Sequence, residues 1–207
     1  YGKPPSKENW RFAGRTDIAR SNPSEEVTLE RAIIRLSNRD WANQVPTASG
    51  LVGPTSDKRR CLDLVHRLDD RAWEFIELKI GSDTPLYAAM EILTYGLLYL
   101  FSRHHRDEFQ YDDWKELLQA SLIHLKVLAP SKYYSPNGTG THYHLKWLED
   151  LLNDGLRRFL DESPRLSLQM PFQFEAFPPD FEWTATTDAT RDESVRAALR
   201  ERRAIYA

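Results

Sequence analysis

Apolar residues recur every three or four positions from about Glu25 to Trp41, where Leu29, Ile33, Ile34 and Leu36 share one face. The spacing predicts a helix capped by Ser24 or Thr28. Residues 43–57 then carry two prolines and two glycines and read as a loop with a short strand at Ser49 to Val52. From Arg60 to Leu68, and again from Ala72 to Ile80, apolar positions alternate at period two around the turn Leu68-Asp69-Asp70-Arg71. That pattern predicts a β-hairpin. Gly81 and Ser82 break it, and Thr84-Pro85 opens a long helix to near His105, with proline in the first turn, where its missing N–H costs nothing.

The rest of the chain continues the alternation of element types. A shorter helix is expected over Tyr111 to Gln119 and a strand over Ser121 to Ala129, stopped by Pro130. Ser135 to Thr141 is a loop with a Pro-Asn-Gly turn signal, and His144 to Leu160 is an amphipathic helix. Leu166 to Phe177 alternates weakly around Pro171 and reads as a last strand. Strands separated by helices predict the α/β class, with a central mixed β-sheet flanked by helices. Tyr1 to Pro23 reads as an irregular arm with a short ordered piece around Trp10 to Phe12, and 24–177 as the domain. From Pro178 the chain is expected to form a polar extension with a short charged helix at Glu193 to Arg203. No segment repeats.

Composition narrows the function classes. At 207 residues, with 41% hydrophobic residues and six tryptophans, the chain can bury a core and is expected to form one folded domain. The net charge of −3 provides no global basic field, so a nucleic-acid partner would need a local patch. Lys58-Arg59-Arg60 and Arg157-Arg158 are the candidates, though each by itself reads more readily as a solvated basic face. The single cysteine, Cys61, excludes an intrachain disulfide and a cysteine-built zinc site, and fits a reducing, cytoplasmic setting. Leu86 to Phe101 is the most apolar stretch, but it is shorter than the ~20 residues of a membrane span and contains Glu91. A core helix and no membrane partner are expected. The chain starts at Tyr1 rather than a methionine, and its first residues do not resemble a signal peptide. His104, His105, His142 and His144 have no spacing that builds a zinc site without a special fold.

The hairpin carries the candidate chemistry. Side chains alternate faces along a strand, so Phe75, Glu77 and Lys79 share one face while Ile76, Leu78 and Ile80 share the other. On the partner strand Cys61, Asp63, Val65 and Arg67 share a face opposite Leu62 and Leu64. Glu77 and Lys79 therefore interrupt a strongly apolar strand, where charge is costly to bury, and the hairpin can set Asp63 beside Glu77. Two close carboxylates suit a hard divalent cation, which activates water and stabilises charge on a phosphate oxygen. The rival reading is an ordinary strand salt bridge, with Asp63 paired to Arg67 or Lys79.

The run RCLDLVHRLDDRAWEFIELKIG resembles the PD-(D/E)xK nuclease superfamily, in which an aspartate on one strand precedes an ExK element on the next. In many members a preceding helix supplies a further acid, which would be Glu30 here, with Glu26 second. The helix after ExK often carries Gln and Tyr at a four-residue spacing, which Glu91 and Tyr95 hold here. IHLKVLAPSKYY resembles the next core strand, so the likeness runs from about Glu25 to Tyr134. Leu62 stands where the family's proline would be, and Glu91 replaces the glutamine. The resemblance implies a restriction-endonuclease-like fold with an αβββαβ core. It implies Mg²⁺ (or Mn²⁺) held by Asp63, Glu77, Glu30 and the backbone carbonyl of Leu78, with Lys79 positioning the attacking water and Glu91 and Tyr95 as auxiliary residues. The implied activity is phosphodiester hydrolysis of nucleic acid, DNA before RNA, with a homodimer as the candidate assembly. Two alternatives remain open at this point: an inactive scaffold of the same fold that binds nucleic acid or protein, and an unrelated α/β protein with a structural ion-pair network.

Overall fold

The computed structural model describes residues 5–16, 24–37, 39–51, 60–111, 115–135, 143–184 and 192–206. Among these residues the elements run α1 (Glu25–Leu36), β1 (Trp41–Pro46), β2 (Cys61–Arg67), β3 (Ala72–Leu78), α2 (Pro85–His104) and β4 (Leu122–Pro130). They continue with α3 (Lys146–Asp161), β5 (Phe172–Phe177), α4 (Asp192–Arg200) and β6 (Arg203–Ala204). One sheet carries all six strands in the order β1-β2-β3-β4-β5-β6. β1, β2 and β3 form an antiparallel meander, β4 and β5 continue parallel to β3, and β6 returns antiparallel to β5. The protein is therefore α/β with a mixed sheet flanked by helices, and its first six elements follow the succession αβββαβ.

Alternation along the strands builds two apolar layers. Trp73 and Phe75 of β3, with Leu125 and Val127 of β4, pack under α2 and α3. Ile76, Leu78 and Leu128 point the other way, onto α1 and α4. Helix α2 comes close to the sheet at Gly96, where an added Cβ would lie 2.8 Å from Leu125 Cδ1 and 3.2 Å from Met170 Sδ. Its N-terminus is fixed by Thr84, whose Oγ1 accepts the Tyr87 N–H at 3.3 Å, and by Pro85.

Several expectations need correction. The first helix stops at Leu36, and Trp41 begins strand β1 where a helix end and a loop were expected. Ser49 to Leu51 form a turn instead of a strand, and Val52 lies outside the described residues. The expected helix at Tyr111 to Gln119 is a 3₁₀ turn over Glu116–Gln119, with 112–114 outside the described residues. The last expected strand begins only after Pro171, because proline breaks the ladder. Among the described residues of the two terminal segments, Trp10 is buried in the α2-side core, while Phe181, Trp183, Val195 and Ala198 belong to the other. The C-terminal segment also adds β6 to the sheet.

Helix α2 has a buried face, as expected, but it also exposes Leu86, Tyr87, Met90 and Leu97. Among the described residues no helix is long and apolar enough to cross a membrane.

Candidate functional site

The site begins where β2 and β3 part. Their paired register runs from Arg67↔Trp73 to Leu64↔Ile76 and stops there. Extended by one step, it sets Asp63 opposite Glu77. The Leu78 N–H, left without a β2 carbonyl, instead donates to Asp63 Oδ2 at 3.0 Å. On the other side of β3 the ladder continues, with the Lys79 N–H donating to Leu128 O at 3.0 Å. Asp63 thus fills the opening of the fork with its side chain.

The other neighbour of Asp63 is equally irregular. β1 pairs with β2 through Asn43↔Leu64 and Val45↔Leu62, and between them Gln44 adopts φ 48°. A non-glycine residue in this left-handed region is uncommon and strained. The kink resets the alternation of β2: Leu62 and Val65 both join the α2-side core, whereas strict alternation predicted that Leu62 would join Leu64 on the far face. Gln44 uses the kink to aim its amide at α1, where Nε2 donates to both oxygens of Glu30 at 3.1 and 3.0 Å. Asn43 Nδ2 adds a longer bond of 3.5 Å to Glu30 Oε2.

Lys79 closes the cluster. Its Nζ lies 2.8 Å from Glu77 Oε1 and 2.9 Å from Glu91 Oε2 on α2, with Asp83 Oδ2 at 3.8 Å. Glu77 is 4% exposed and Lys79 7%. Glu77 Oε2 and the Tyr133 hydroxyl have no hydrogen-bond partner among the described residues.

The electrostatics are those of crowded, buried acids. Burial and then the charge of Glu30 push Asp63 up to about 8. Burial and then the charge of Asp63 push Glu77 up to about 10, against the pull of Lys79. Burial lifts Glu30 to about 7 despite its hydrogen bonds from Gln44 and Asn43. The Tyr95 hydroxyl is raised by burial and then by Glu77 and Asp63, and its side chain lines one groove with Glu91. The Lys79 ammonium, which burial alone would lower, is held well above its ordinary value by Glu77.

The hairpin residues and those of the two flanking helices come together: Asp63, Glu77, Lys79 and Leu78 at the fork, Glu30 behind it, and Glu91 and Tyr95 above it. Glu26 does something different, tying the β3–α2 connection through Ile80 N–H at 3.3 Å and Ser82 Oγ at 2.6 Å. Sequence reasoning passed over Asn43, Gln44 and Tyr133, which lie in segments without a charged motif. A groove of about 380 Å³ lined by Arg60, Tyr87, Met90, Glu91, Thr94 and Tyr95 opens beside Glu91. Lys58, Arg59 and His142 lie outside the described residues, and Arg157 and Arg158 are on α3.

The donor set can be tested against a divalent cation. Among the described residues no group of three or more His, Cys, Asp or Glu side chains is gathered closely enough to hold a metal ion, and this includes His104, His105 and His144. Mg²⁺ does not require such a cage, since it is commonly held by one or two carboxylates with waters and substrate phosphate. Asp63 and Glu77 supply that pair, and the unpartnered Glu77 Oε2 is the atom a cation would satisfy. A two-carboxylate site is the most that these residues would offer such an ion.

A second ionic cluster was not legible as such. Glu74 of β3 meets His66 Nδ1 at 2.7 Å, Lys126 Nζ at 2.7 Å and Arg202 Nη2 at 2.5 Å. Lys126 also pairs with Glu175. Burial pushes Glu74 up, but His66, Arg202 and Lys126 outweigh it and hold the carboxyl well below the usual range. Two acids face two cations plus an imidazole, on the α4 side of the sheet, and the cluster reads as a structural clasp between four strands and the C-terminal segment.

No family model matches the chain, and no curated protein or solved structure matches it either.

Proposed function

We propose that the protein is a metal-dependent nuclease of the PD-(D/E)xK kind, hydrolysing phosphodiester bonds of nucleic acid, DNA before RNA. The observation that supports this most is the meeting of Asp63 and Glu77 at the open end of the β2–β3 ladder, with Lys79 Nζ 2.8 Å from Glu77. Buried acids this crowded are unfavourable alone and become favourable with a cation between them.

In this reading Asp63 and Glu77 hold Mg²⁺ or Mn²⁺, with the Leu78 carbonyl as a further oxygen and Glu30 behind them. The bound ion would lower the pKa of its water and take up charge on the phosphate oxygen. Lys79, pinned by Glu77 and Glu91, orients that water toward the phosphorus. Gln44 and Asn43 fix Glu30, and the Leu78 N–H fixes Asp63, so the carboxylates need no rearrangement when substrate arrives. Arg15, whose charge acts on Cys61, and Arg60, which lines the groove beside Glu91, are exposed and are the phosphate contacts this reading assigns.

Cleavage of duplex and single-stranded DNA and of RNA with Mg²⁺ or Mn²⁺ tests the proposal. Asp63→Ala and Lys79→Ala should each lower the rate by about 10²–10⁴-fold with unchanged circular dichroism. Full activity in either variant contradicts it. One observation favours the inactive scaffold: Lys79 is already paired with two carboxylates, and Glu91 is the partner that replaces the family's glutamine. Glu91→Gln, which takes one of its two carboxylates from Lys79, separates the readings: metal-dependent cleavage should be seen and should rise in a nuclease, whereas a scaffold cleaves neither before nor after the change.

A further inference from the structure

The exposed apolar residues are unevenly distributed. Among the described residues, Leu97 and Phe101 of α2, Tyr143, and Trp147, Leu151 and Phe159 of α3 are each 36–61% exposed. All lie on the helical layer that covers one face of the sheet. Trp147, Leu151, Gly155 and Phe159 follow one another at four-residue spacing, so they form a single ridge along α3.

Gly155 is the anomaly in that ridge. A glycine in the middle of a helix weakens it relative to alanine. Inside the subunit nothing requires it, because an added Cβ at Gly155 would meet no atom within 4 Å. At Gly96 the same addition collides with Leu125, so there the fold itself explains the glycine. A missing side chain on an exposed apolar ridge makes a notch into which another helix can fit closely.

We propose that α3 crosses α3 of a second copy of this chain at Gly155, forming a two-fold symmetric dimer. The ridge is self-complementary about that point, since Leu151 and Phe159 lie four residues to either side. A two-fold axis through Gly155 brings Leu151 against Phe159 of the partner subunit, and the reverse, as an isologous interface requires. Ridges of i±4 spacing pack into each other at about −50°, a crossing that lets the notch carry the closest approach.

Charge permits the pairing. Arg157 is held within its own helix by Asp154 at 3.1 Å and Asp161 at 3.8 Å, and Lys146 by Asp150, so the flanks present neutralised pairs to the opposing copy. The area is also sufficient. Six large side chains about half exposed, at roughly 150–250 Å² for a whole aromatic one, present on the order of 500 Å² of apolar surface. At an apolar share of about 60%, this corresponds to roughly 800 Å² per partner, the size of a standard interface. The proposal does not rest on the nuclease reading.

Sedimentation equilibrium of the full chain tests it. The wild type should be dimeric at about 10 µM, and Gly155→Leu should raise the dissociation constant by about 100-fold or more while keeping its circular dichroism. Gly155→Ala should weaken the dimer less and raise the melting temperature of the dilute subunit. In a Cys61→Ser background, chains with Leu151→Cys mixed with chains with Phe159→Cys should form a cross-linked dimer on mild oxidation, and neither variant alone should. The mixing experiment decides the matter even where Gly155→Leu fails to fold. A wild type that stays monomeric to about 100 µM, a dimer indifferent to Gly155→Leu, or a mixture without cross-links overturns the proposal.

Discussion

Asp63 Oδ2 accepts the Leu78 backbone N–H at 3.0 Å, so one carboxylate both ends the β2–β3 ladder and faces Glu77. The bond gives Asp63 a structural duty that its side-chain oxygen can perform without charge. Asp63→Asn keeps an acceptor for Leu78 and removes a carboxyl whose ionisation burial and the charge of Glu30 oppose. Its stability in EDTA should equal or exceed that of the wild type. Asp63→Ala leaves the N–H unsatisfied and should cost about 1–3 kcal/mol by urea denaturation. Equal losses in the two variants would show that the charge, and not the acceptor, supports the fork.

The crowded acids predict an unusual pH dependence. Asp63, Glu30 and Glu77 have folded values of about 8, 7 and 10 against ordinary values of 3.8 and 4.5. The folded protein keeps these protons where the unfolded chain has released them, so stability falls as pH rises from about 4.5 through these values. Glu74 has the opposite sign: its contribution is present above the ordinary glutamate value and lost as pH falls below it. His124, lowered by burial and by Lys126, adds stability as pH rises toward 6.5. The difference between wild type and Asp63→Asn removes both backgrounds. Between pH 5 and 9 the wild type should lose stability relative to the variant, and saturating Mg²⁺ should flatten its curve.

The clasp around Glu74 predicts a loss of stability with no loss at the site. Arg202→Met leaves Glu74 and Glu175 to share Lys126, and breaking a buried ion pair of this kind costs about 3–5 kcal/mol. Chemical denaturation at pH 7 should show that loss. Divalent-cation binding by the folded fraction should not change, because Glu74 and Glu77 lie on opposite faces of β3.

Gly96 couples the sheet to the residues above the fork. Gly96→Ala drives a methyl group into Leu125 and Met170 and should cost about 1–3 kcal/mol. Since α2 must shift to make room, the Lys79–Glu91 contact should loosen too. Exposure of Lys79 to amine-directed labelling, faster in the variant than in the wild type, is the corresponding measurement.

Much of this was legible in the chain. The period-two runs of the hairpin placed Phe75 and Ile76 on opposite faces, and the break of that pattern at Glu77 and Lys79 marked the site. The long helix after Thr84-Pro85 was equally plain, because a cap and a first-turn proline fix its start. Strand β1 was hidden because Trp41 continues the helical spacing of α1 and Pro46 reads as a breaker. Gln44 was beyond reach for a different reason: its left-handed φ is imposed by the strand pairing around it, and no local residue preference announces it. The Glu74, Lys126 and Glu175 clasp is spread over three strands and Arg202, so no sequence window contains it. An ordered piece around Trp10 to Phe12 and a helix from about Glu193 were legible, but not which core each would join, since that depends on contacts distant in the chain.

The central claim is that Asp63 and Glu77 together hold a divalent cation, and calorimetric titration with Mn²⁺ at pH 8 tests it most directly. The wild type should give one saturable binding event, weakened about 10–100-fold in Glu30→Gln and abolished in Asp63→Asn and Glu77→Gln. A wild type that gives no saturable heat, or an Asp63→Asn variant that binds as tightly as the wild type, would contradict it.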